Sequence, residues 1–549
     1  MRLPHAMVLA LVLVAGAARA AGEHRAHAPG DPAPPPLLDG LGVHHHAVTT
    51  TSREAQRYFD QGLRLVYAFN HDEATRAFRE AARLDPGCAM AWWGVALAAG
   101  PNYNLPIDDA RDRVARDAMA QAIALAPKAS EPERAYVDAL AKRYARPSGT
   151  DRKQLDRDYA DAMREVARQH PDDLDAATLF AESLMVLRPW DLWTLDGKPQ
   201  PGTTEIVETL EGVLARDPNH PGANHYYIHA VEASPDPGRA LASAERLGKL
   251  APAAGHLVHM PAHVYMRVGR YADAAEANRR AITADERYIA RQNGDGVYPQ
   301  MYYPHNIHFL WSAASMEGRS AEAIAAASKL TAQITPDALR QMPMLELFAP
   351  TTLFALARFG RWNELLAVPA PGEEFQVYSG MWHYTRGLAL AATGKVDEAG
   401  REQARVAKLA KAVAADRVIG DNQPAKRHLE LAAVELAGEI AARRGRTDEA
   451  VKELQEAARL EDQLPYTEPP AWWRPTRHVL GAVLLEGGRP VEAEAVYRED
   501  LRRNPENGWS LLGLSLSLRD RDPAAAGSAD ARFRMAWARA DMQPQSSRF

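Results

Sequence analysis

Eight of the 19 histidines in this 549-residue chain lie between His220 and His308. Even spacing would leave about three in a window of that length, so the clustering asks for a physical reason. The residues come in short runs: Asn224-His225-Tyr226-Tyr227-Ile228-His229, then His256-Leu257-Val258-His259 with His263, then His305-Asn306-Ile307-His308. Neutral imidazole is a metal ligand through either ring nitrogen, and an imidazole-rich set without thiolates suits Zn, Cu or Fe. The offsets matter as much as the count. His225 precedes His259 by 34 residues, as His229 precedes His263; His256 precedes His305 by 49, as His259 precedes His308. Fixed offsets put the histidines at equivalent positions of a repeating unit, which would stack them in space.

The elements that must hold them are helices. His225/His229 and His259/His263 are spaced i, i+4, so each pair shares one helix face. Packed helices lie about 8–10 Å apart, close enough for imidazoles from neighbours to share an ion at about 2.0–2.1 Å per bond. The two pairs make a four-nitrogen candidate, with His256, His305 and His308 as a second group beside it. Glu182 and Glu232 are the carboxylates expected nearby with Asp175, and Asn306 and Tyr303 are possible accessory groups. Tyr226, Tyr227 and Tyr302 are also close in sequence; packing is the simpler role for the first two.

The repeat itself shows from about residue 52 to 518. Gly62, Ala74, Phe78, Ala81 and Pro86 form one frame, and Ala240 with Pro252, Gly269 with Ala274 and Ala281, Gly318 with Ala323, and Gly481 with Ala493, Tyr497 and Pro505 continue it. Small residues let two helices approach, a large ring fills the gap between them, and proline ends the second helix. This pattern resembles the tetratricopeptide-repeat (TPR) family, in particular exported bacterial proteins of that kind. The resemblance implies an all-α superhelical solenoid of antiparallel helix pairs, about ten to twelve hairpins over residues 51–520 with a His-rich centre at 221–312. It also implies that the first helix of each pair lines a concave groove through positions 2, 5, 9 and 12. In that frame position 2 reads Asp175, Gly222, His256, His305, and position 5 reads Thr178, His225, His259, His308. Position 9 reads Glu182, His229, His263, Ser312, and position 12 reads Met185, Glu232, Met266, Ser315. Seven histidines thus fall on the groove side, and His220 falls in a turn.

Interruptions at Arg188–Thr204 and Tyr288–Tyr303 fall before and inside the histidine block. Insertions between repeats form loops on one face, often the binding face. Thr51-Ser52-Arg53-Glu54 fits a capping box at the first helix. Trp93 is placed near the groove. Residues 1–20 read as a secretory signal: Arg2, an apolar run from Met7 to Ala15 and the small-x-small site Ala18-Arg19-Ala20. That implies a secreted or periplasmic protein cleaved after Ala20, with formal charge moving from −6 to −8 as Arg2 and Arg19 leave. Residues 21–50 read as a Pro/Ala-rich linker, disordered to Asp39, then a loop carrying His44-His45-His46 as a solvated tract or extra ligands. Residues 521–549 read as a partly ordered tail.

Other chemistries are excluded. The net charge gives no basic face for nucleic acid. The single cysteine, Cys88, makes neither an internal disulfide nor a thiolate metal site and reads as a small packed residue. There is no His-Glu-x-x-His run, phosphate-binding loop or Gly-x-Ser-x-Gly elbow, so no catalytic class is assigned. The leading expectation is a transition-metal site in a histidine-lined groove, with a metalloenzyme that activates water or oxygen at the ion left open. The alternative is a metal-free scaffold that binds a peptide or partner protein.

Overall fold

The computed structural model describes residues 34–144, 151–291 and 296–549. The signal-like segment lies outside the described residues. The fold is all-α: among the described residues the only paired strands are the two-residue β1 (Val418–Ile419) and β2 (Gln423–Pro424), antiparallel with Val418 opposite Pro424. Among the described residues no helix is long and apolar enough to cross a membrane. The described residues divide into two compact units. One holds residues 34–264 with 280–303, and the other holds 265–279 with 304–549.

In the first unit the chain runs through α1 (Arg53–Tyr67), α2 (His71–Leu84), α3 (Ala89–Ala99), α4 (Asp109–Leu125), α5 (Glu131–Tyr144), α6 (Arg152–Gln169), α7 (Leu174–Val186), α8 (Thr203–Arg216), α9 (Pro221–Val231), α10 (Leu241–Leu250) and α11 (Gly255–His259). Each packs on the next, as helical hairpins stacked in sequence order require. The residue types expected of the repeat do what they should. A Cβ on Gly62 would lie 2.6 Å from the Phe78 ring and one on Gly94 2.4 Å from it, so the ring of α2 fills space that glycines on α1 and α3 leave open. Cys88 is buried at the N-terminus of α3, its thiol pushed up to about 11 by burial.

Two local expectations are corrected. Ser52, not Thr51, caps α1, accepting from Ala55 N at 3.2 Å, so Glu54 closes no capping box. The helix expected to carry His256, His259 and His263 is two helices, α11 and α12 (Pro261–Arg267). Pro261 has no N–H to continue the ladder and begins the second helix instead.

The segment before α1 is not a loose tether over residues 34–50. Tyr58 OH donates to Pro35 O (2.9 Å), Gln61 Nε2 to Pro36 O (3.0 Å) and Leu38 N to Gln61 Oε1 (2.7 Å). With no helix or strand of its own, this arm satisfies its backbone against α1.

In the other unit, Leu454, Val479, Leu480, Val483, Tyr497 and Leu514 belong to one buried cluster. Buried Glu435 is fully engaged there: it accepts from Arg474 (2.8 Å), Tyr384 (2.7 Å), Trp472 (3.0 Å) and Thr476 (3.0 Å). The tail is ordered. Pro523–Ala536 is a helix, Ser547 donates to His478 O (2.6 Å), and buried Arg548 pairs with Glu439 and Glu486.

Candidate metal centre

In the first unit α9 presents His225 and His229 one turn apart, and α11 presents His256 beside them. One ring nitrogen from each of the three lies within 4.8 Å of the others. All three side chains are buried, at 0%, 2% and 1% exposure. Burial penalises the imidazolium form, so His225 is held well below the ordinary histidine value, helped by repulsion from His229, and His229 is lowered as well. The neutral ring, the form that ligates, is the stable one.

The partners of the far nitrogens fix where the protons sit. His225 Nδ1 is 2.6 Å from Tyr67 O, a carbonyl that can only accept, so Nδ1 carries the proton and Nε2 a bare lone pair. His229 Nδ1 is 2.9 Å from Glu232 Oε1. Burial alone would raise the Glu232 carboxyl, but His263 and His229 outweigh it and hold it at about 2. Ionised Glu232 can only accept, so His229 also carries its proton on Nδ1. Its Nε2 is buried without a hydrogen-bond partner. The carboxylate–imidazole pair is the arrangement that orients metal-ligating histidines. His256 Nε2 stands 3.1 Å from His225 Nε2, a hydrogen bond in which His256 donates to the unprotonated His225 nitrogen and whose proton an ion would replace. Two nitrogens bound to one ion at about 2.05 Å stand about 2.9 Å apart at a right-angled site and about 3.4 Å apart at a tetrahedral one.

His263 and His259 extend the cluster. His263 Nδ1 lies 2.6 Å from Glu232 Oε2, its ring 5.5 Å from that of His229 and 4.7 Å from that of His259. The grouping therefore differs from the expected one: His256 joins His225 and His229, while His259 and His263 stand behind them. His305 and His308 belong to the other unit. There His305 is half-buried against Phe309, and His308 stacks on Trp311 at 5.3 Å and is lowered to about 4 by burial. Asn306 is fully buried in that unit. Tyr303 OH donates to Glu286 (3.0 Å). Glu182 is buried on α7, its carboxyl pushed up to about 7 by burial against the pull of Arg143; its electrostatic partners are Arg143 and Asp156.

The three imidazoles do not line an open groove. Phe69, just past α1, lies 4.5 Å from the His225 ring, 5.4 Å from His256 and 5.9 Å from His229. Tyr103 and Trp190 flank His229 at 5.2 and 5.7 Å. Tyr302 lies 4.6 Å from His256, and His256 N donates to Tyr298 OH at 2.8 Å. Both interruptions singled out in the sequence thus cover the cluster. Phe69 and Tyr103 carried no sequence signal, because they reach the site only through the packing of α1 on α9 and a short loop after α3. Tyr226 packs against Tyr67 and Phe69, and Tyr227 OH donates to Glu211.

A second polar node lies nearby. Asp175 Oδ1 accepts from Tyr67 OH, His44 Nε2 (2.9 Å) and His220 Nε2 (3.1 Å), and Oδ2 accepts from His46 Nδ1 (2.9 Å). These donors outweigh burial and hold Asp175 well below the carboxylate range. His220 Nδ1 accepts from Ala223 N at the start of α9, so its proton sits on Nε2, facing Asp175. That tautomer donates and does not ligate. The node pins the arm beside an open pocket of about 770 Å³ lined by His44, Glu133, Tyr136 and Asp173.

No family model matches the chain, and no curated protein matches it. Among solved structures it is similar to a human IFIT1 dimer with m7Gppp-AAAA (12% identity, 89% of this chain and 92% of that one, TM-score 0.32). It is also similar to yeast Tom70 (12%, 87% and 93%, 0.26) and to the P58(IPK) TPR domain (12%, 85% and 97%, 0.22). At such values no statement about this chain's function follows from them.

Proposed function

We propose that the chain is a transition-metal-binding helical-repeat protein whose ion is held by His225, His229 and His256. One observation carries this reading: three imidazoles meet in a buried space, two of them with their protons locked on the far nitrogen by Tyr67 O and Glu232. Zn, Cu and Fe fit an all-nitrogen donor set. Glu232 orients His229 and, with His263 beside its other oxygen, supplies the negative charge nearest the ion. Export is part of the proposal, resting on the signal-like residues 1–20, and N-terminal sequencing of secreted protein should begin at Ala21.

The test is elemental analysis of untagged, dialysed protein after loading with Zn, Cu or Fe. The wild type should retain about one ion per chain at this site. His225→Ala and His256→Ala should lose it, and Glu232→Gln should bind about 10–100-fold more weakly, as expected of an orienting partner. Wild type that dialyses free of every metal, or retention unchanged in both alanine variants, would overturn the reading. The pocket beside the arm supports a second, metal-free reading, in which a peptide or partner protein binds there. It predicts retention of a ligand peptide with no metal and no effect of His225→Ala.

A further inference from the structure

Among the described residues only Phe69, Trp190 and Glu506 are non-glycines with positive φ, at +55°, +56° and +54°. Two of the three are aromatic, and both lie against His229. Phe69 follows the end of α1 as the left-handed residue of a Schellman cap: Phe69 N donates to Val66 O (3.0 Å) and Asn70 N to Leu65 O (2.9 Å). The same chain shows what this position ordinarily takes. Gly269, Gly318, Gly360, Gly394, Gly445 and Gly488 occupy it at φ between +64° and +82°, and in each case the following residue's N–H donates back to the carbonyl five residues earlier. A bulky side chain there is a steric outlier that persists only where its surroundings hold it. Here the surroundings are the three imidazoles, each within 6 Å of the Phe69 ring, together with the rings of His71, Tyr226 and Tyr302.

We propose that Phe69, with Trp190, is a positioning residue of the metal centre, a step that rests on the metal-binding reading above. The backbone conformation aims the Phe69 ring at the faces and edges of His225, His229 and His256. With Tyr103 stacked on Trp190 at 5.3 Å, the rings wall the far side of His229. Neither residue offers a ligand atom. They act through the imidazoles, restricting ring rotation so that the ligating nitrogens stay convergent, and they keep water off the ion. Glycine, the residue of the six equivalent caps, would relieve the backbone and release the rings.

The experiment compares wild type, Phe69→Gly, Phe69→Leu, Phe69→Tyr and Trp190→Gly. Zn affinity is measured by competition with a chelating indicator, and the Co(II)-loaded proteins are compared by ligand-field absorption, which reads coordination geometry. Phe69→Tyr should match the wild type in both. Phe69→Gly, Phe69→Leu and Trp190→Gly should bind at least tenfold more weakly, with a shifted Co(II) spectrum. Wild-type affinity and spectrum in Phe69→Gly would overturn the positioning role while leaving the metal site standing. Should Phe69→Gly fail to fold, Phe69→Leu and Trp190→Gly decide the matter in the same way. Wild type that binds neither Zn nor Co(II) overturns the site and the positioning role together.

Discussion

At the scale of the residue, what a buried histidine does here follows from the partner of its second nitrogen. His225 and His229 donate from Nδ1 to acceptors and leave Nε2 unprotonated. His220 accepts at Nδ1 and so donates from Nε2. His478, in the other unit, follows the second pattern: Arg358 lies 3.2 Å from its Nδ1, and its Nε2 donates to Asp500 at 3.0 Å. Asp500 also accepts from Ser510 (2.6 Å) and Asn507 (3.0 Å), and these bonds outweigh burial and hold its carboxyl below the ordinary aspartate value. A carboxylate depressed in the folded state adds stability that is complete above its unfolded pKa, about 3.9, and is lost as pH falls through the folded value. Asp500→Asn should therefore cost about 3 kcal/mol at pH 7, since it turns an amide toward donors, and its stability should fall less steeply below pH about 4 than that of the wild type. Urea melts across that range check both parts. A parallel acid limb in the variant would assign the depression elsewhere. None of these roles was legible in the sequence, which shows a histidine's position and not the neighbour that sets its tautomer.

At the scale of the element, the chain declared its helices well and their covers poorly. The glycine, alanine and proline frame found the hairpins because close approach and helix ending depend on single residue types. The His225/His229 pair was legible because it needs only one helix, whereas His259 and His263 fall on α11 and α12. The break at Pro261 was missed, although a residue that cannot donate stands there. The arm was not: residues 34–50 have the composition of a linker, yet His44 and His46 reach across to Asp175 on α7. Four side chains from the arm, α1 and the start of α9 spend their donors on that one carboxylate. Asp175→Asn leaves one acceptor where there were two, so the arm should loosen. Limited proteolysis should then cut within residues 40–50 several-fold faster than in the wild type while the helices stay protected. An unchanged rate there would mean the arm is held by its contacts to Tyr58 and Gln61 alone.

At the scale of the whole molecule, the chain has no disulfide to staple it, so packing and any bound ion carry its stability. It forms two compact units, and a single melting temperature would blend them, because two-state unfolding is a property of small single domains. Amide hydrogen exchange separates the contributions, since protection reports each region's own opening free energy. An ion present at about 1,000 times its dissociation constant stabilises the form that binds it by about 4 kcal/mol. That corresponds to about a thousandfold slower exchange wherever opening requires release of the ion. The slowing should be greatest in α9, α11 and the turn from Tyr67 to Asn70, because those segments carry His225, His229 and His256 and the carbonyl that orients the first of them. The helices Thr447–Glu461 and Pro490–Arg503 hold no proposed ligand and should change least. Slowing centred instead on the helix Val297–Met316 would move the site to His305 and His308, and no slowing anywhere in the first unit would remove the ion from these three histidines altogether.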